Sequence, residues 1–230
     1  MISTKKILYS FAVFVCSYFL FVHALHWSFK QETAVSRLFL QASQCITGSV
    51  LSDAFIMMLP PEKSIVAPNS YKMEIKYTTK EAAVQAARAA KIAGKPNAEF
   101  GTLSITIDLF LLLIIPLSFL LSLTIVTPVT WRAKVRNMLV GTTLFLTFTW
   151  LRIVLFVLMS IAIREVDMYQ WVHIYSKTLY SIDSTFGLGG TLIVAILIWA
   201  FLSFGKNLPF VQEKPKNKIK STAQPISTGV

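Results

Sequence analysis

The chain has 230 residues, 54% of them hydrophobic and only 14% charged, with a net charge of +11 and a mean hydropathy of +0.61. Soluble domains carry about 25% charged residues, so this composition excludes an ordinary soluble domain and predicts an integral membrane protein. The basic residues gather at the ends of apolar runs and form no aromatic-interleaved groove, which favours membrane topology and lipid contact over nucleic acid.

The amino-terminal residues Met1 to Lys6 are short and basic, and Ile7 to about Trp27 is a first apolar run. A cleaved signal peptide is the rival reading of such a start. The run is long and lacks a small-residue cleavage site, so residues 1–27 are expected to be a retained transmembrane helix, with His23 to Trp27 as an interfacial anchor.

Residues 28–101 form the one large polar segment and are expected to be extracytoplasmic. From Thr33 to Met58, apolar residues Val35, Leu38, Phe39, Ala42, Cys45, Ile46 and Val50 recur at helical spacing, which predicts an amphipathic helix lying on the membrane or packed on the bundle. Pro60 and Pro61 are expected to end it. Tyr71 to Tyr77 alternates apolar and charged residues, the period of a half-buried strand. Thr78-Thr79-Lys80-Glu81 reads as a capping box for an Ala-rich helix closed by Gly94 and Pro96. Thr102 to Ile107 alternates again, so a short antiparallel strand pair with a helical insert is expected.

Residues 102–205 then read as a three-span membrane core. Leu109 to Val126 is the second span, Met138 to Ile163 the third and Leu188 to Phe204 the fourth. The basic loop around Arg132, Lys134 and Arg136 separates the second from the third. A further interfacial helix is expected between Arg164 and Phe186, where Met168, Trp171, Val172, Tyr175 and Leu179 share one face and His173, Lys177 and Tyr180 another. Residues 206–230 are Lys-rich and polar, a pattern of disorder. The fold class is therefore mainly α, a polytopic helical membrane protein with about four transmembrane helices and a small extracytoplasmic α/β insertion. The positive-inside rule places both termini and the basic loop in the cytoplasm.

Arg152 stands out inside the third apolar run. A charge at membrane depth costs about 2.5–3.5 kcal/mol on insertion scales and calls for a partner or a wet cavity. It lies 11 residues before the end of its run at Ile163, roughly 16 Å deep at about 1.5 Å per residue. An ion pair with Asp108 or Asp167 is one reading; a clamp on a substrate carboxylate is the other. Cys16 falls in the first span and Cys45 in the loop after it, so no disulfide is expected. No metal-ligand spacing or phosphate loop is present, and neither a metal nor a cofactor is expected.

The sequence Trp150-Leu151-Arg152-Ile153-Val154-Leu155-Phe156, followed by Tyr169-Gln170-Trp171-Val172-His173-Ile174-Tyr175 and a final apolar helix, resembles the carboxy-terminal half of the exosortase/archaeosortase family, exosortase H in particular. The resemblance covers about residues 98–205, and the amino-terminal part only in layout. It implies a multi-span protein of a prokaryotic cytoplasmic (inner) membrane whose relatives are cysteine transpeptidases acting on proteins with a carboxy-terminal sorting signal. Arg152 and His173 match the family's catalytic arginine and histidine. The cysteine does not match: the start of the second span reads Thr106-Ile107-Asp108-Leu109, without a thiol. Asp108, Tyr169 and Lys177 are the further candidates for binding or structural pairing. Three readings follow. One is a non-catalytic relative that binds a sorting tail or a partner subunit. Another is an active transpeptidase or peptidase that uses Cys45 or another nucleophile with His173 and Arg152. The third is an accessory subunit of a membrane complex.

Overall fold

The computed structural model describes residues 4–31, 33–63, 71–94, 103–164, 169, 172, 174–185 and 187–205. These form a mainly helical bundle carrying a small three-stranded sheet at one end. Helix α1 (Thr4–Lys30) and helix α5 (Trp131–Ile163) are long and apolar enough to cross a membrane. Along α1, Ile7, Leu8, Phe11, Phe19 and Leu20 are all more than half exposed; such an outward apolar surface is stable against hydrocarbon, as expected of a membrane-embedded chain.

Four spans are expected from the sequence, and two helices meet the length requirement alone. The segment expected to be the second span starts with a π-helical turn, Phe110–Ile114, and continues as α4 (Ile115–Val126). Pro116 falls just after the π-turn in the continuous apolar helix Phe110–Val126, where the wider turn precedes the residue that lacks an N–H. The segment expected to be the fourth is α7 (Leu188–Phe204). It meets the span criterion only together with α6 (Ser176–Thr185), with a 67° bend between the two.

Helix α2 (Ala34–Val50) is amphipathic as its spacing predicts, and of the two placements open to it, most of its apolar face is turned outward. Its buried residues are Ser36, Phe39, Ser43 and Thr47, whereas Val35, Leu38 and Val50 are exposed. Cys45, one of the residues of that apolar stripe, is an exposed free thiol. The reason is the solvent: in a bilayer, small residues let helices approach and apolar side chains can face lipid. Ser43 illustrates this. Its hydroxyl donates to the Phe39 carbonyl at 2.7 Å and accepts the Trp150 indole N–H at 3.1 Å, tying α2 to α5.

The predicted helix through Met58 ends at Val50, and a strand follows. Strand β1 (Ala54–Lys63) runs antiparallel to β2 (Tyr71–Thr79), with a register irregularity between Leu59 and Glu62, where Pro60 and Pro61 sit. Proline, which cannot donate to a ladder, is confined to such edges and bulges. β2 pairs antiparallel with β3 (Leu103–Asp108), Ile75 opposite Ile105. The sheet order is β1-β2-β3, so the expected pair is a triplet.

The alternation along β2 buries Met73, Ile75 and Tyr77 completely. The Tyr77 hydroxyl shares a 2.6 Å hydrogen bond with Ser160, docking the sheet on α5. Between β2 and β3 stands α3 (Lys80–Ile92), capped by Thr79, whose hydroxyl accepts from Ala82 N at 3.1 Å. The cap is thus one residue later than the capping box predicted. The helix closes at Gly94 with φ 66°, a left-handed conformation that glycine adopts without a Cβ penalty.

At the opposite end of the bundle the basic segment is held by backbone acceptors. Lys134 Nζ donates to the Ile125 carbonyl and Asn137 to that of Leu202, while the Trp199 indole donates to Thr127 Oγ1 at 2.7 Å. Gly141 lets α5 and α7 approach; a Cβ there would meet Leu202 Cδ1 at 3.2 Å.

Candidate functional site

Arg152 leaves α5 toward the interior and is 6% exposed. One terminal nitrogen donates to Thr191 Oγ1 of α7 at 2.6 Å, and the other pairs with Asp183 Oδ1 of α6 at 3.1 Å. Its guanidinium carbon lies 5.0 Å from the centroid of the Phe156 ring, one turn along the same helix. Thr191 Oγ1 donates in turn to the Gly187 carbonyl at 3.2 Å. Arg152 therefore ties together α5, the end of α6 and the start of α7. Its remaining nitrogen, Nε, is buried and has no hydrogen-bond partner among the described residues.

The amino-acid pattern predicts Asp108 or Asp167 as the partner of Arg152. The observed partner is Asp183, and Asp167 lies outside the described residues. Asp108 instead caps the turn that opens the membrane segment. Its Oδ1 accepts the backbone N–H of Phe110 at 2.9 Å and of Leu111 at 3.4 Å. Asp183 could not be singled out from sequence, because it follows no apolar run and sits 31 residues from Arg152. The available signal was scarcity, since Asp108, Glu165, Asp167 and Asp183 are the only acids between residues 101 and 205.

Arg152 and Asp108 nevertheless share a cavity of about 210 Å³ at the sheet end of the bundle. Its walls are Thr106, Ile107 and Asp108 from β3, Leu111 and Leu112 from the π-turn, Arg152 and Phe156 from α5, and Thr191 from α7. Its lining thus combines a cation, already engaged by Asp183 and Thr191, with a carboxylate whose Oδ1 is held by backbone N–H groups. A neutral group offering both an acceptor and a donor, such as a peptide unit, suits a lining that holds both charges. A bare anion would meet the Arg152 charge favourably and Asp108 unfavourably.

The other candidates named from the sequence lie elsewhere. Cys45 is on the exposed side of α2 and does not line the cavity. Tyr169 accepts the Asp53 backbone N–H at 3.1 Å through its hydroxyl, bracing the start of β1. Burial raises the Tyr169 phenol above its ordinary pKa, and the Asp53 N–H bond works against that rise. Lys177 is exposed on α6. His173 lies outside the described residues. Acyl transfer requires a nucleophile within reach of a base; of the hydroxyls on the cavity wall, that of Thr191 is engaged by Arg152 and Gly187. Among the described residues no group of three His, Cys, Asp or Glu side chains converges as a metal site would. No protein-family model, curated protein or solved structure matches this chain.

Proposed function

We propose that this chain is an exosortase-like integral membrane protein that binds a protein tail or partner subunit without cutting it. In this reading α1, the π-turn with α4, α5 and α7 are four spans of a prokaryotic cytoplasmic membrane, both termini are cytoplasmic, and the sheet end faces outward. The observation that carries the reading is the cavity that Arg152 and Asp108 line together. An extended tail entering along β3 would bring its peptide groups to this lining, with an amide N–H to the Asp108 carboxylate. Two features favour binding over catalysis: no thiol lines the cavity among the described residues, and Cys45 is exposed on α2.

A second reading, an accessory subunit in which Arg152 is purely structural, draws support from the charge pairing with Asp183. A photoreactive residue at Leu111, which lines the cavity and is 41% exposed, separates the two in native membranes. Tail binding predicts a protein adduct that a Thr106→Trp cavity-filling change suppresses while the protein still inserts. No adduct, or an adduct indifferent to Thr106→Trp, would reject it in favour of the accessory role.

A further inference from the structure

A second hollow lies in the wall of the bundle and shares no lining residue with the Arg152 cavity. It has a volume of about 430 Å³ and is walled by α1 (Leu25, Phe29), the outward side of α2 (Val35, Leu38), the π-turn and α4 (Leu113 to Leu121) and α5 (Leu146, Trp150). The polar groups on its lining are few, and the Trp150 indole N–H is already donated to Ser43. A water molecule needs two to four polar partners to settle in a cavity, so this hollow rejects water and accepts hydrocarbon. Leu113 and Leu121 are separated by eight residues, which gives a depth of about 12 Å at about 1.5 Å per residue.

Two further observations indicate what fills it. Val35 and Leu38 sit at the rim with 58% and 64% of their surface exposed, an arrangement suited to a helix lying in the headgroup boundary of a bilayer. Lys30 and Arg37 are the sequence neighbours of the lining residues Phe29 and Leu38, and both cations are exposed. The α1–α2 corner, residues 30–37, holds two cations and one acid, Glu32. An apolar slot opening at the interface beside a net positive corner matches one amphiphile: an acyl chain joined to an anionic phosphate.

We propose that this groove binds one anionic phospholipid, an acyl chain lying between α2, α4 and α5 and the phosphate held at Lys30 and Arg37. The site is independent of the Arg152 cavity and of any role in tail binding.

The experiment uses the full chain purified in mild detergent and reconstituted in nanodiscs of phosphatidylglycerol or phosphatidylcholine. Trp150 is kept as the sole tryptophan by changing Trp27, Trp131, Trp171 and Trp199 to Phe. The expected results are one phosphatidylglycerol retained per protomer by native mass spectrometry and quenching of Trp150 by chain-brominated phosphatidylglycerol. Ala42→Phe, which fills the groove, is expected to lower both several-fold. Lys30→Gln with Arg37→Gln, at exposed positions, is expected to remove the preference for phosphatidylglycerol over phosphatidylcholine. Absence of retained lipid overturns the proposal, as does quenching that Ala42→Phe leaves unchanged, an unaltered preference in the double Gln variant, or a dimer crosslinked through Leu38.

Discussion

Arg152 and Asp183 form an ion pair of 3.1 Å across 31 residues of sequence, with the cation side chain 7% and the anion side chain 21% exposed. The asymmetry decides what each truncation costs. Removing Asp183 strands a buried guanidinium; removing Arg152 strands a carboxylate that still reaches water.

Asp183→Leu is therefore expected to destabilise the protein by about 3–5 kcal/mol, the usual cost of breaking a buried pair from one side, and Arg152→Leu by less, about 2–3 kcal/mol. The double variant should recover most of the loss, because neither charge is then stranded. Asp108→Asn should cost under about 1 kcal/mol, since Asn caps a helix as well as Asp, and should not rescue Arg152→Leu. Denaturant unfolding in detergent measures all four. Rescue by Asp108→Asn instead of Asp183→Leu would falsify the assignment of the partner.

Cys45 is exposed and lines neither the Arg152 cavity nor the lipid groove. Cys45→Ser is expected to change stability by no more than about 0.5 kcal/mol, as for other surface substitutions, and to leave partner binding intact. A maleimide reagent should label Cys45 in a Cys16→Ser background in detergent, with the Cys16→Ser, Cys45→Ser double variant as the blank, since Cys16 is also an exposed free thiol. A folded Cys45→Ser protein that has lost its partner or a peptidase activity would return the thiol to the centre of the function.

These outcomes bear on what the sequence made legible. The alternation in β2 and β3 and the closure of α3 at Gly94 could be read because each is a local pattern with a local cause. The orientation of α2 could not be read from its spacing, because the same seven apolar residues serve a core in water and a lipid face in a bilayer; Ser43 bonded to Trp150 decides between them. β1 was hidden by Pro60 and Pro61, which break a helix yet fit the irregularity of an edge strand. Asp183 was hidden because its partnership with Arg152 depends on the 67° turn between α6 and α7, a tertiary event with no periodic trace.

Tyr169 yields a pH dependence. Its pKa is raised, mainly by burial, so the folded state holds the phenolic proton more tightly than the unfolded chain does. The resulting stability is fully present below the unfolded phenol's ordinary pKa, near 10, and is lost as pH rises through the higher folded value. Unfolding midpoints should not change on this account at neutral pH and should fall at alkaline pH. Tyr169→Phe should flatten part of that alkaline fall and weaken the start of β1 at all pH values, because the Asp53 N–H loses its acceptor. An alkaline fall of equal size in Tyr169→Phe assigns it to other groups.

Topology is the most consequential expectation, since the outward-facing cavity depends on it. The basic residues Lys5 and Lys6, the Arg132, Lys134 and Arg136 group, and the lysines between 206 and 220 all fall on one side if α1, the π-turn with α4, α5 and α7 each cross once. The positive-inside rule makes that side cytoplasmic. α7 has 17 residues, about 26 Å at about 1.5 Å per residue, slightly under a hydrocarbon core of about 30 Å, which local thinning of the bilayer can accommodate. A reporter fused after Lys95 should be active only outside the cytoplasm, and one fused after Lys216 only inside. If α6 and α7 instead form a re-entrant pair, the chain crosses an odd number of times, and the Lys216 reporter reports the outside while the Lys95 reporter is unchanged. That result would reject the four-span arrangement while keeping the sheet end outside.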